Sequence, residues 1–175
     1  MSNKLTIISG GQTGVDRAAL DAAIELNIAH GGWCPKNRKA EDGLINKNYL
    51  LQETDSEDPS ERTKANIRHS NGTLIIVKTL PVTVTDGTIL TMTEVKEKNV
   101  PNIIISLSKD WDGSISDIQK WATKNNIKIL NVAGPRESQN KGIYEEAFKF
   151  CLKLFPVLTH SLEKEESVTS IRAKL

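Results

Sequence analysis

The chain is predicted to fold as an α/β protein, a single domain with a doubly wound, mainly parallel sheet and helices on both faces. Three observations predict it. Short β-branched runs alternate with helix-period segments along most of the length. The runs are near-continuous in apolar character, which suits strands covered on both faces. Glycine-rich turns follow the strands, where such sheets bind ligands.

Four strong strands are expected: Leu5-Thr6-Ile7-Ile8-Ser9, Thr73-Leu74-Ile75-Ile76-Val77, Asn102-Ile103-Ile104-Ile105-Ser106 and Ile127-Lys128-Ile129-Leu130-Asn131-Val132. A weaker fifth lies over 29–33. The first helix is read from Val15, Ala18, Ala19, Ala22, Ala23 and Leu26, spaced as one helical face. Thr13 and Asp16 resemble a capping box at its start. Asp58-Pro59-Ser60-Glu61 is a fuller start signal, a cap followed by proline at the first helical position. That helix should run to about His69. Further helices are expected over 88–98, 114–125 and 141–154, the last ended by Pro156. The domain is assigned to 1–157, and 158–175 to a C-terminal tail, either a short helix or disordered. The segment 34–58 does not fit the alternation. It is long and polar, as functional or disordered loops are.

Composition excludes several function classes. Among 175 residues, Lys and Arg number 23 and Asp and Glu 22, for a formal charge of +1. That balance argues against a nucleic-acid binder. No apolar run approaches a membrane span, and the N-terminal stretch lacks signal-peptide anatomy. The two cysteines, Cys34 and Cys151, form no metal-binding spacing. No metal site or membrane contact is expected, and a cytoplasmic location is.

Four clusters could carry chemistry. In Ser9-Gly10-Gly11-Gln12-Thr13-Gly14-Val15-Asp16-Arg17, three glycines sit where a strand turns into a helix. Glycine permits the turn and lets a ligand approach the backbone. The free amides of the helix start then suit an anion. Asp16 either caps the helix or meets the ligand. Arg17 either clamps a phosphate or pairs with Asp21. The second cluster, 31–43, offers Lys36, Arg38 and Lys39 as positive charge at the same sheet edge, with Glu41 and Asp42 beside them. The third, Thr85-Asp86-Gly87-Thr88, opens a helix and again offers amides. The fourth, Gly134-Pro135-Arg136-Glu137-Ser138, would place Arg136 and Ser138 at that edge. Cys34 reads as a buried small residue rather than a nucleophile, and no catalytic residue is assigned.

These blocks carry a resemblance. Gly10-Gly11-Gln12-Thr13-Gly14-Val15-Asp16-Arg17-Ala18-Ala19-Leu20-Asp21, Gly31-Gly32-Trp33-Cys34-Pro35-Lys36, Ala40-Glu41-Asp42-Gly43, Arg62-Thr63, Asn66, Gly87-Thr88 and Asn131-Val132-Ala133-Gly134-Pro135-Arg136-Glu137-Ser138 look like the molybdenum carrier family. The likeness runs from about residue 5 to 155. It implies a Rossmann-like fold, of the superfamily that includes the lonely-guy phosphoribohydrolases and the lysine decarboxylase-like proteins, in a circularly permuted branch. It also implies a binding or carrier protein for a phosphorylated small molecule, with molybdenum cofactor (molybdopterin) or a nucleotide-like molecule as the ligand. The ligand-binding set it suggests is Gly10, Gly11, Gln12, Thr13, Gly14, Asp16, Arg17, Lys36, Arg38, Glu41, Asp42, Gly87, Thr88, Arg136 and Ser138. Relatives of this group often form homo-oligomers, and Met92 or Trp111 are candidates for such a surface.

The sequence departs from the family pattern at two positions. Asp86-Gly87-Thr88 stands where Gly-Gly-Thr is usual, and Asn37 replaces a glycine. Asn tolerates left-handed dihedrals. A phosphoribohydrolase is the rival reading, with a nucleotide-sensing domain as a third. The hydrolase signature places a catalytic Glu where Thr91 stands here, with Glu94 one helical turn later, and Thr cannot supply that carboxylate.

Overall fold

The computed structural model describes residues 4–80, 82 and 87–172. Strand β1 (Thr6–Ile8) leads into helix α1 (Val15–Glu25) and strand β2 (Ala29–Gly31). Four two-residue strands follow: β3 (Trp33–Cys34), β4 (Lys39–Ala40), β5 (Gly43–Leu44) and β6 (Gln52–Glu53). Then come α2 (Pro59–Arg68), β7 (Gly72–Val77), α3 (Gly87–Glu97), β8 (Asn102–Ser106), α4 (Trp111–Lys124), β9 (Ile129–Ala133) and α5 (Ile143–Arg172). The central sheet has the order β2-β1-β9-β7-β8 and is parallel throughout.

Strand β7 shows why both faces must be covered. Leu74 and Ile76 pack into the larger core with α1, α4 and α5. Ile75 and Val77 pack on the opposite face with Ile67 of α2 and Val95 of α3. The period of two sends successive side chains to opposite sides. The expected α/β doubly wound fold is therefore the observed one. The chain leaves β1 through α1 toward β2, and leaves β7 through α3 toward β8 on the other face. Between these divergent exits the carboxyl ends of β1, β9 and β7 form the crevice typical of such a reversal.

Several local expectations change. The fifth helix does not stop at Pro156 but runs to Arg172. A proline inside a helix sacrifices one backbone bond. Here the apolar spacing continues through Phe155, Leu158 and Leu162, all buried in the main core, and packing outweighs that loss. Helix α4 begins three residues earlier than the periodicity suggests. Asp110 caps it, its carboxylate accepting from the amides of Asp112 and Gly113. Thr13 does not cap α1: the N-cap is Gly14, with no side-chain cap bond. Asp58 does cap α2, accepting from the Ser60 amide at 2.8 Å. Met92 and Trp111 are partly buried against the two cores.

The segment 34–58 is ordered around its own small core. Leu20, Cys34, Ile45 and Leu51 cluster there, and β3 pairs with β6 while β4 pairs with β5. Asn37 adopts φ 63°, the left-handed conformation expected of an Asn in a glycine position.

Candidate ligand cleft at the sheet edge

The expected site residues do not converge on one cavity. The loops after β1 and β9 contribute residues to both sides, dividing them between two clefts. Gly10, Gln12, Asp16, Gly87, Thr88 and Arg136 line a narrow cleft at the carboxyl edge of the sheet, with Arg62, Thr63, Asn66, Thr91, Asn131 and Gln139. Thr13, Gly14, Arg17, Glu41, Asp42 and Ser138 line a second hollow on the far side of α1's first turn. Lys36, Arg38 and Gly11 line neither.

The first glycine turn is built for its own neighbours. A Cβ on Gly10 would strike the guanidinium of Arg62 and lie 2.8 Å from Asp16. Gly11 has φ 75°, and a Cβ there would meet Leu51 at 2.6 Å. Gly14 has φ 77° and packs against the backbone of 135–137. Some of the amides expected to hold an anion are also engaged. Thr13 N donates to Gln12 Oε1 at 3.0 Å, and Val15 N to the Pro135 carbonyl at 3.2 Å. Protein groups therefore take up part of the anion site foreseen at the start of α1.

Glu41 fastens the loop over this turn. Its carboxylate accepts from Thr13 Oγ1 and from the amide and hydroxyl of Ser138, the last at 2.5 Å. Burial would raise its pKa, but the bonds from Ser138 and Thr13 outweigh that and hold it below the usual carboxylate range. Arg17 pairs with Asp42 at 2.9 Å and donates to the Gly11 carbonyl, not to Asp21. Asp21 instead accepts from both Tyr49 and Tyr144 hydroxyls at 2.7 Å.

Arg38 has a structural task in place of the expected phosphate clamp. Its guanidinium donates to the carbonyls of Ile45, Asn46, Tyr49 and Leu51 at 2.8–3.1 Å. A fork with five donors serves carbonyls as well as phosphate oxygens. Arg38→Ala is expected to lower stability by about 2–4 kcal/mol, since bonds to charged groups contribute ~1.5–3 kcal/mol each and are not additive. Limited proteolysis should then cut within 39–51. Exposed Lys36 should tolerate alanine within about 0.5 kcal/mol in the same melts.

The cleft at the sheet edge has different chemistry. Asp16 and Arg62 are both buried and meet at 2.5 Å through Asp16 Oδ2. Among the described residues no hydrogen bond reaches the other oxygen, Oδ1. Across the cleft, Thr88 stands in the first turn of α3. It is 2% exposed, and among the described residues its Oγ1 is the one fully buried side-chain polar atom without a partner. Such orphans are rare in folded proteins. Arg136 brings a positive charge to the same walls. The narrow cleft, about 30 Å³, adjoins a wider groove of about 480 Å³ that shares Arg62, Thr63, Gly87 and Arg136. Asp86 lies outside the described residues.

A family model for the circularly permutated YpsA SLOG family matches residues 7–155. The chain belongs to that family. A solved structure supports the assignment: a "putative molybdenum carrier protein" from Syntrophus aciditrophicus SB is 39% identical to this SLOG chain, with a TM-score of 0.81, over 87% of this chain and 95% of the other. No functionally curated protein matches. No described helix of the SLOG chain is long and apolar enough to cross a membrane.

Arg62, Thr63, Asn66 and Asn131 line the cleft and belong to the blocks that carry the resemblance, but not to the expected ligand-binding set. A further signal was present in α2, whose inward face carries Arg62 and Asn66 at i and i+4 beside Ile67. Polar residues on a buried helical face call for partners.

Proposed function

We propose that this chain binds and carries a phosphorylated small molecule, held at the start of α3, with molybdopterin-type cofactors and nucleotides as the ligand class. The observation that carries this reading is the orphan hydroxyl of Thr88. It sits where helix-start amides and the helix dipole favour an anion, beside Arg136 and outside the carboxyl ends of the parallel strands. A phosphoryl oxygen there would accept from Thr88 Oγ1 once a χ1 rotation turns that buried hydroxyl out to the cleft wall. The Syntrophus neighbour's description as a molybdenum carrier supports the carrier part of this reading. A small group such as a phosphoryl suits the narrow cleft, and the rest of the ligand suits the adjoining groove.

The phosphoribohydrolase reading gains no support from α3. Thr91 Oγ1 donates to the Gly87 carbonyl at 2.7 Å. Glu94 lines a separate groove with Lys64 and Arg68.

Thr88→Val tests the proposal because its two effects have opposite signs. Losing a buried, unpaired hydroxyl should leave the melting temperature unchanged or raise it, since such a group costs about 1–3 kcal/mol. The same change should weaken binding of glucose 6-phosphate at least about tenfold, equivalent to ~1.4 kcal/mol. Native mass spectrometry of the chain purified without added ligand should show a phosphorylated adduct that the variant loses. Equal affinity in both proteins, or no phosphorylated ligand bound by the natural chain, would overturn the reading.

A further inference from the structure

The second observation in the cleft is the half-used carboxylate of Asp16, which faces the anion site just described. Arg62 and the Gln12 amide both approach Oδ2, among the described residues no hydrogen bond reaches Oδ1, and Asp16 lines the same narrow cleft as Thr88. Asp16 is 5% exposed, so bulk water screens it poorly. An acceptor of this kind attracts a hydrogen on the ligand and repels an oxygen that has none. We infer that Asp16 is a specificity-determining residue that admits anions carrying an O–H donor and rejects fully deprotonated oxyanions.

The inference rests on the anion-binding reading of the α3 start and narrows its ligand. At neutral pH inorganic phosphate keeps at least one proton. Sulfate and molybdate keep none. A phosphorylated sugar has hydroxyls close to its anionic group. Both sources share one chemistry, an anion with a neighbouring O–H, and both satisfy Asp16 Oδ1 while the opposite side of the ligand meets Thr88 and Arg136. Bare molybdate presents only acceptors to the carboxylate. Molybdenum cargo in this cleft would therefore enter as part of an organic phosphate and not as the free oxyanion. A buried acceptor or donor left facing the wrong partner discriminates strongly, because the group loses its solvation without replacement.

Calorimetric titration at pH 7 with inorganic phosphate, sulfate, molybdate, glucose 6-phosphate and glucose 6-sulfate tests this on the natural chain. Phosphate or glucose 6-phosphate should bind at least about tenfold more tightly than sulfate or molybdate. Equal binding of the two sugar esters would name the sugar hydroxyl as the donor. A preference for the phosphate ester that strengthens as the pH is lowered from 7 to about 5.5, where the ester phosphoryl takes up its proton, would name that proton as the donor. Asp16→Asn keeps an oxygen for Arg62 and turns the free position into an N–H donor, so molybdate and sulfate should gain and the gap should close to less than about threefold. Molybdate binding within threefold of phosphate in the natural chain overturns the inference while leaving the anion site standing. An unchanged gap in folded Asp16→Asn does the same. Failure of every anion to bind removes both readings. The comparison of anions on the natural chain decides the matter even if the variant does not fold.

Discussion

Arg62→Ala is expected to lower the unfolding free energy by about 3–5 kcal/mol, the cost of stranding a buried charge. Only 9% of the Arg62 side chain and 7% of the Asp16 side chain are exposed, and their contact is 2.5 Å. Asp16 lies in the first turn of α1 and Arg62 in that of α2, so the pair ties together helices on opposite faces of the sheet. Chemical denaturation should show a lower midpoint with an unchanged slope, the mark of altered stability without altered compactness. The double change Asp16→Asn with Arg62→Met should recover most of the loss, because no charge is then left unpaired. If Arg62→Ala costs less than about 1 kcal/mol, water reaches Asp16 freely and the pair is ordinary surface pairing.

The pair also marks the boundary of what the sequence reveals. Strands and helices were legible because periodicity is local: the apolar run of β7 and the alanine face of α1 each declare which surface is buried. Helix ends were less so, since Pro156 argued locally for a stop while Phe155, Leu158 and Leu162 were held by distant core residues. The site was legible in position but not in cause. A glycine reports that something comes close or that φ is unusual, not what comes close. At Gly10 it is Arg62, at Gly11 Leu51, and at Gly14 the backbone after β9, where the sequence suggested a ligand. Arg38 carried the same ambiguity, because a guanidinium in a polar loop reads alike whether it meets a phosphate or four carbonyls. Arg62 was harder still, its partner lying 46 positions away. By contrast Gly87 and Thr88 were placed at a helix start by sequence, and α3 begins there. The orphan state of the Thr88 hydroxyl needed coordinates.

Gly14 is where fold and cleft depend on one another most directly. Its φ of 77° and ψ of −131° lie in a region glycine visits freely and other residues reach only at about 1–3 kcal/mol of strain. A Cβ there would also press on the Pro135 carbonyl and approach Arg136 C and Glu137 N at 2.8 Å. These are backbone atoms and cannot rotate aside. Gly14→Ala should therefore cost roughly 3–5 kcal/mol, in the range of severe single changes. At about 2–4 °C per kcal/mol for a domain of this size, melting should fall by about 10 °C. Gly87→Ala is the matched control: among the described residues nothing lies within 4 Å of its added Cβ, so its melting temperature should hold. The displaced segment carries Arg136, so the Gly14→Ala protein that remains folded should bind glucose 6-phosphate more weakly although it keeps Thr88. A melting temperature within 2 °C of the natural chain would mean that the 135–137 backbone yields without cost. Close packing between the first glycine turn and the loop after β9 would then not be what positions Arg136 in the cleft.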